Sequence, residues 1–391
     1  MDAQFIEKPF ELLKSGLTLR GIAYIPGDIE EYGKVPAIIF SHGFTGSCMD
    51  MAKYCKAFVK KGYAAFTFNF CGSSKIGDHS LFRSDGETVD TSILTEVDDL
   101  LCVKDYVKSL PYVEQDNLIL AGESQGGFVS GLAAARCPDE IKKLIMIYPA
   151  LCIPDHARRG CLGNASYDPK NVPDVIDCKN ILLGKVFHDT VVAMDPYLEI
   201  SGYKGPVLIL QGMDDRIVNY SYAIRMKESF QPGQCHLQLI RGAGHGFNED
   251  QMESAVSSIY QFLLGHKEVL TIPIIITEYE IAEQDGDYKK MAIWFTGYCD
   301  NDYFRGAVLP GGCDRQEHRG DKTLSIRAEY TLHGLDCAGK NCTIHIINQK
   351  AGDEWKPSVA TNSEALGWMN TADFTAVVEP GVGGPTIRIY R

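Results

Sequence analysis

Residues 118–137 read "LILAGESQGGFVSGLAAARC", and the fold turns on how the chain passes through Ser124. The segment before it, from Asn117 to Ala121, is short, apolar and rich in Leu and Ile, as a buried parallel strand should be. Phe128 to Arg136 carries the Ala and Leu content of a helix. A serine in the corner between the two is driven toward strained backbone angles. Gly122 and Gly126 remove the Cβ atoms that would collide across such a turn, and Gly127 lets the helix start close to the strand. The pattern is G-x-S-x-G, a nucleophile elbow, which lifts the Ser124 hydroxyl above the C-terminal edge of a sheet. An ordinary serine in a tight turn is the competing reading, and neighbouring segments decide between them.

Outward from the elbow, strand and helix signals alternate. "LTLRGIAYIP", "PAIIFSHG", "YAAFTFNF", "KKLIMIYPAL", "PVLILQG" and "HLQLIRGAGH" read as strands. "MAKYCKAFVKKG", "TSILTEVDDLLCVKDYVKSL" and "QMESAVSSIYQFLL" read as helices, the second placing Ile93, Leu94, Val97, Leu100, Leu101, Val103 and Val107 near helical spacing. This alternation predicts an α/β domain over residues 1–266, a mostly parallel sheet with helices on both faces. The rhythm breaks over about 149–198, where Pro154, Pro169, Pro173 and Pro196 mix with charges and aromatics. A loop that long, anchored by strands at both ends, reads as a cap over the site. From residue 267 to 391 the grammar becomes all-β, with "TIPIIITEYEIAE", "KMAIWFTG", "LSIRAEYTLHG", "CTIHIINQ" and "TIRIY" separated by turn residues, as in a small barrel or sandwich.

The whole chain narrows the function classes. It has 391 residues, 45% of them hydrophobic, and a formal charge of −13. Such a charge repels phosphate backbones, and no Lys/Arg-rich run reverses it locally, so nucleic acid is not an expected partner. The longest apolar stretches, "VPAIIF" and "LTIPIII", are strand-sized, so no membrane span is expected. The first residues, "MDAQFIEKPFELL", lack the basic and apolar regions of a secretory signal, and thirteen cysteines without a framework pattern fit reduced thiols. Both point to a cytoplasmic protein, and a homo-oligomer is compatible with the sequence. Cys337, Cys342, His345 and His333 raise zinc by proximity. Their spacing fits a structural site only in part, and His345 sits in the alternating run "TIHII", so no metal is assigned.

A serine hydrolase on this scaffold needs an acid and then a histidine after the serine. "PVLILQGMDDRIV" ends a strand with Asp214 and Asp215, and "LIRGAGHGF" ends the next with His245. The histidine can take the Ser124 proton and return it to the leaving alcohol, while an aspartate fixes its tautomer. Each residue has a bland reading alone, as a turn cap or a surface histidine. Three motifs in order at three strand ends favour the triad. The oxyanion hole needs two backbone N–H groups: that of Gln125, after the serine, and that of Phe44, which "IIFSHGFTG" turns toward the substrate. His42 suits bracing that loop better than acting as a base.

Residues from about Leu17 to Leu264 resemble α/β-hydrolase-fold esterases, and "SHGFTG", "GESQGG", "GMDDRIV" and "GAGHGF" together are similar to the cinnamoyl (feruloyl) esterase branch. The resemblance implies Ser124, Asp215 and His245 as the triad, with Asp214 left to cap the turn and Phe44 and Gln125 at the oxyanion hole. It implies no cofactor, and a small-molecule ester substrate in which a hydroxycinnamate is released from a plant-derived alcohol such as a feruloylated oligosaccharide. Asp155, in the cap segment "IPDHARRG", would bind the phenolic hydroxyl. Tyr167 and Phe187 either form the apolar slot for the ring or pack the cap onto the sheet, and the resemblance favours the slot. Glu123 departs from the branch, where His is usual. The segments "FTGYCDNDYFRGAVLPGGCDRQ", "LSIRAEYTLHG" and "ALGWMNTADFTAVVE" resemble a family of small bacterial β-barrel domains, which implies a fold and no chemistry. Arg327, Glu329 and His333 would line a barrel mouth or, more simply, a solvated strand face.

Overall fold

A computed structural model describes residues 5–27, 29, 33–73, 83–179, 181–352 and 354–391. Its contacts divide the chain into two compact units, one running to Leu239 and taking in Gly244–Gly246, the other made of Ile240–Ala243 and Phe247–Arg391.

The first unit is built on a sheet of β1 (Phe5–Lys14), β2 (Leu17–Pro26), β3 (Val35–Ser41), β4 (Ala64–Phe68), β5 (Val113–Glu123), β6 (Lys143–Ile147), β9 (Val207–Gly212) and β10 (Cys235–Ile240), in the order β1-β2-β4-β3-β5-β6-β9-β10. The short strands β7 (Val175–Asp177) and β8 (Leu182–Gly184) form a separate hairpin in the cap. β1, β2 and β4 pair antiparallel, whereas β4, β3, β5, β6 and β9 run parallel. Every residue of β4 and β9 is buried, which is why these strands read as unbroken apolar runs. Outside the cap, one strand and one α-helix of this unit escaped the sequence reading. β1 carries a buried Phe10 amid charged residues, and the helix Ser221–Ser229 buries only Ala223 and Met226. Neither shows a full periodic stripe.

The strand order positions the site. After β3 the chain crosses to β4 on one side, and β5 returns on the other side of β3. The loops leaving β3 and β5 therefore separate, opening a crevice at their carboxyl ends where ligands of open α/β sheets bind. The cap between β6 and β9 holds the β7–β8 hairpin and the short helices Ile153–Arg158, Lys185–Val191 and Pro196–Ile200.

The second unit contains the helix Glu249–Leu264 and a closed antiparallel barrel of β11 (Glu268–Asp285), β12 (Tyr288–Asp300), β13 (Phe304–Val308), β14 (Gly312–Arg319), β15 (Lys322–Asp336), β16 (Asn341–Ala351), β17 (Glu354–Thr361), β18 (Thr375–Glu379) and β19 (Thr386–Tyr390). β11 closes the ring by pairing with both β12 and β19. β13 and β14 follow one another in a single place between β12 and β15, so the ring has eight positions. The helix packs on β18, with Thr375 Oγ1 donating to Gln261 Oε1 at 2.7 Å. β16 buries alternate residues, with Cys342, Ile344, Ile346 and Asn348 inside and His345 outside. Among the described residues no disulfide forms and no helix is long and apolar enough to cross a membrane.

Candidate active site

The corner after β5 is as tight as the glycine spacing requires. Ser124 sits at φ 52°, ψ −120°, a conformation that costs about 1–3 kcal/mol and survives only where its surroundings enforce it. The enforcement is visible. The Ser124 N–H donates to Ile147 O at 2.9 Å, and the Ser124 carbonyl accepts from Gly127, Phe128 and Ala150. A Cβ on Gly122 would lie 2.3 Å from the Gly126 carbonyl oxygen, and one on Gly126 would lie 2.3 Å from that of Ser41.

The structure brings Ser124, His245 and Asp215 together. His245 Nε2 is 2.9 Å from Ser124 Oγ, and His245 Nδ1 is 2.9 Å from Asp215 Oδ2. The Asp215 side chain is fully buried. Its Oδ1 accepts the N–H groups of Ile217 and Val218, and its Oδ2 also accepts Gln211 Nε2. Burial alone would raise its pKa, but the bonds from His245, Val218 and Ile217 outweigh burial and hold the carboxyl below its ordinary value. The turn-capping duty expected of Asp214 therefore belongs to Asp215 itself. Asp214 is exposed.

The loop after β3 passes against the serine, where a Cβ on Gly43 would stand 3.1 Å from Ser124 Cβ. His42 is buried beside it. Its Nδ1–H faces Gly43 O at 2.8 Å, and its Nε2 accepts the Phe70 N–H at 3.4 Å. Burial lowers its pKa to about 4, so the ring stays neutral and ties the β3 loop to the β4 loop. Among the described residues neither the Phe44 nor the Gln125 N–H has an acceptor. The Gln125 side chain turns inward, its Nε2 lying 2.8 Å from both carboxyl oxygens of Glu96. Glu96 is buried, and burial pushes its pKa up to about 8, so an uncharged acid anchors the first residue of the elbow helix.

One partner of His245 was missed. Tyr148 follows β6 at φ 35°, its ring centroid 5.0 Å from that of His245, and its hydroxyl donates to Glu123 Oε2 at 2.6 Å. Burial raises the Glu123 pKa against the opposing Tyr148 bond. Nothing in the spacing of residues 25 apart could announce this pair.

The cap residues make hydrogen bonds separate from those joining Ser124, His245 and Asp215. Asp155 Oδ1 accepts Arg158 Nη1 at 2.8 Å, and its Oδ2 accepts the Tyr222 hydroxyl at 3.0 Å. Tyr167 is hydrogen-bonded to His188 Nδ1 at 2.8 Å. Phe187 is 2% exposed and belongs to the hydrophobic core. In the second unit, His345 bonds Thr331, Arg327 bonds the outward Glu329, and His333 is exposed. Among the described residues no group of three His, Cys, Asp or Glu is arranged to hold a metal.

The profile of the prolyl oligopeptidase family matches residues 51–268, more than half of the chain and all three residues of the Ser124, Asp215 and His245 cluster. The chain belongs to the prolyl oligopeptidase family. This family member is 28% identical to Est1E from Butyrivibrio proteoclasticus in a structure with bound ferulic acid, with a TM-score of 0.59 over 66% of this chain and 98% of that one. A second structure of Est1E is matched at 26% identity and a TM-score of 0.57, with the same coverage of each chain. A Mycoplasma genitalium protein named, on inference, esterase/lipase 2 is 34% identical over 113 residues, 28% of this chain and 37% of that protein. The matched stretch thus spans little more than a third of that curated relative.

Proposed function

We propose that this prolyl oligopeptidase family member is a carboxylic-ester hydrolase that releases hydroxycinnamic acids, such as ferulate, caffeate and p-coumarate, from plant-derived esters. The observation that carries the reading is the chain of two 2.9 Å contacts from Ser124 Oγ through His245 to the buried Asp215.

The chemistry follows from that geometry. His245 Nε2 accepts the Ser124 proton as Oγ attacks the ester carbonyl, and Asp215 stabilises the resulting imidazolium through Nδ1–H. The Phe44 and Gln125 N–H groups receive the developing oxyanion, each such donor contributing about 2.7–4 kcal/mol to the transition state. His245 then protonates the leaving alcohol, and water attacks the acyl-serine by the same route in reverse. No step calls for a cofactor.

Two observations support the hydroxycinnamate acyl group. The Est1E structure holds ferulic acid, and Asp155 already accepts a phenolic hydroxyl, that of Tyr222. A substrate phenol reaching the same carboxylate would compete with Tyr222, its ring lying beside Tyr167 under the cap. The family's name favours a second reading, cleavage of a peptide bond by the same acyl-serine route. Labelling by a fluorophosphonate that Ser124→Ala abolishes is expected, and an unlabelled wild-type chain overturns the nucleophile. Rates on methyl ferulate, methyl caffeate, chlorogenate, short acetyl esters and a prolyl amide then rank the acyl donors. Preference for acetyl esters or the amide overturns the hydroxycinnamate assignment.

A further inference from the structure

Eight-position barrels are just wide enough for side chains to fill the interior or for one small ligand to sit there. Along β15 the side chains of Ile326, Ala328 and Tyr330 point inward, while Arg327 and Glu329 form an ion pair on the outer face. Ala328 is the smallest of the inward set, and its two cross-strand partners are both polar: Asp314 on β14 and Asn348 on β16. A row of acid, methyl and amide thus crosses three adjacent strands. Beside it lies a cavity of about 250 Å³, walled chiefly by Ile274, Ile293, Phe295, Trp355 and Ile387.

Three side-chain oxygens on the wall of this cavity are buried with no hydrogen-bond partner among the described residues: Asp314 Oδ1, Asn348 Oδ1 and Tyr330 Oη. Asn348 and Tyr330 are 1% and 3% exposed, so bulk water does not satisfy them. Buried polar atoms in folded proteins are nearly always paired, because leaving one unpaired forfeits its hydration. Two of the three are acceptors only, and the third both donates and accepts. Asp314 Oδ2 is already occupied by Gln316 Nε2 at 2.6 Å, and burial raises the Asp314 pKa. No Lys, Arg or His lines the cavity, so an anion would find no counter-charge there. The ligand must bring a donor and fit a mostly apolar, aromatic-walled space. An apolar cavity of roughly 150 Å³ admits benzene, so this one takes a single ring with a short substituent. A depression lined by Ile276, Tyr279, Val378 and the loop 380–385 shares Ile276, Val378 and Pro385 with the cavity and gives a way in.

We propose that the barrel interior is a binding site for a neutral monocyclic phenol or aromatic alcohol, whose hydroxyl donates to Asn348 Oδ1 or Asp314 Oδ1 and accepts from the Tyr330 hydroxyl while its ring packs between Phe295 and Trp355. The site is independent of the ester-hydrolase reading, since it uses none of that machinery.

Calorimetric titration of the full chain with 4-ethylphenol, ethylbenzene and 4-ethylbenzoate tests it. One site for 4-ethylphenol is expected, with ethylbenzene about tenfold weaker for want of a hydroxyl and no binding of the benzoate. Tyr330→Phe and Asn348→Leu should each weaken 4-ethylphenol about tenfold while leaving ethylbenzene unchanged. Ala328→Leu should block both by filling the row. Prior fluorophosphonate treatment of the serine should change nothing. The proposal is overturned if 4-ethylphenol does not bind at millimolar concentration, if it binds no better than ethylbenzene, or if its affinity survives Tyr330→Phe and Asn348→Leu. Tyr330→Phe removes a single oxygen and keeps the ring, so it decides the matter even if Ala328→Leu fails to fold.

Discussion

Tyr148 donates its hydroxyl to Glu123 Oε2 at 2.6 Å, and the bond joins the residue before Ser124 to the residue that packs on His245. A carboxyl that burial pushes up is thereby tied, through Tyr148, to the imidazole of His245.

The first expectation concerns that pair. Glu123→Gln keeps an acceptor for the Tyr148 hydroxyl and removes a carboxyl whose charged form burial disfavours. Wild-type stability should therefore fall as the pH rises above the ordinary carboxyl range, the variant's should not, and kcat should drop less than tenfold. Tyr148→Phe keeps the ring on His245 and leaves Glu123 short of a donor, so it should cost about 1–3 kcal/mol of stability by urea unfolding. Parallel curves of stability against pH for wild type and Glu123→Gln would refute it.

The two aspartates of the β9 loop should separate sharply. Asp215 holds His245 and two turn amides, whereas Asp214 is exposed. Asp215→Asn should lower kcat by about 10⁴ through the wrong imidazole tautomer, and Asp214→Asn should leave it near wild type. Ser124→Ala should lose on the order of a millionfold. Steady-state rates on one activated ester check all three.

Glu96 predicts a stability profile of definite sign. Its folded pKa, about 8, lies above the ordinary 4.5, so the fold favours the protonated acid. That contribution is complete below pH 4.5 and is lost as pH rises through about 8. Glu96→Gln should flatten the thermal midpoint between pH 5 and 9, by at most on the order of 4 kcal/mol. Melting curves across that range are the measurement, and parallel curves for both proteins would refute it.

His42 acts at the other end of the scale. Its folded pKa, about 4, lies below the ordinary 6.5, so the fold requires the neutral ring. Stability is complete above pH 6.5 and falls as the pH drops toward 4, by on the order of 3 kcal/mol. Because the ring ties the β3 loop to Phe70, acid unfolding should begin in the loop after β3. Hydrogen exchange of the Phe44 and Phe70 amides at pH 5 and 7 would reveal it.

Asp155→Ala tests the cap. If the carboxylate receives a substrate phenol, kcat/KM for caffeate or ferulate esters should fall by about 1–3 kcal/mol while an unsubstituted cinnamate is spared. Equal losses on both would mean that Asp155 serves Arg158 and Tyr222 alone.

Much of the first unit could be read directly because its signals are local. A serine between Gly122 and Gly126 has few ways to turn, and β3, β6 and β9 are buried on both faces, which writes them as apolar runs. β1 was opaque, since an edge strand buries one residue in ten and its pattern competes with many others. The motif order offered a histidine and two aspartates, and resemblance rather than spacing chose between the aspartates. Geometry then gave the turn amides to the same residue, a duty the sequence had assigned to its neighbour.

The sequence by itself determined the α/β alternation, the strained corner at Ser124 and the change to all-β grammar, because each is set by backbone sterics and by hydrophobic period over a few residues. Tertiary structure alone decided which distant groups share a dry space: Glu123 with Tyr148, Gln125 with Glu96, Asp314 and Asn348 on either side of Ala328. Those pairings depend on strand register and helix docking. They arise from burying the whole core at once, and the desolvation that shifts their pKa values exists only when the chain has closed around them.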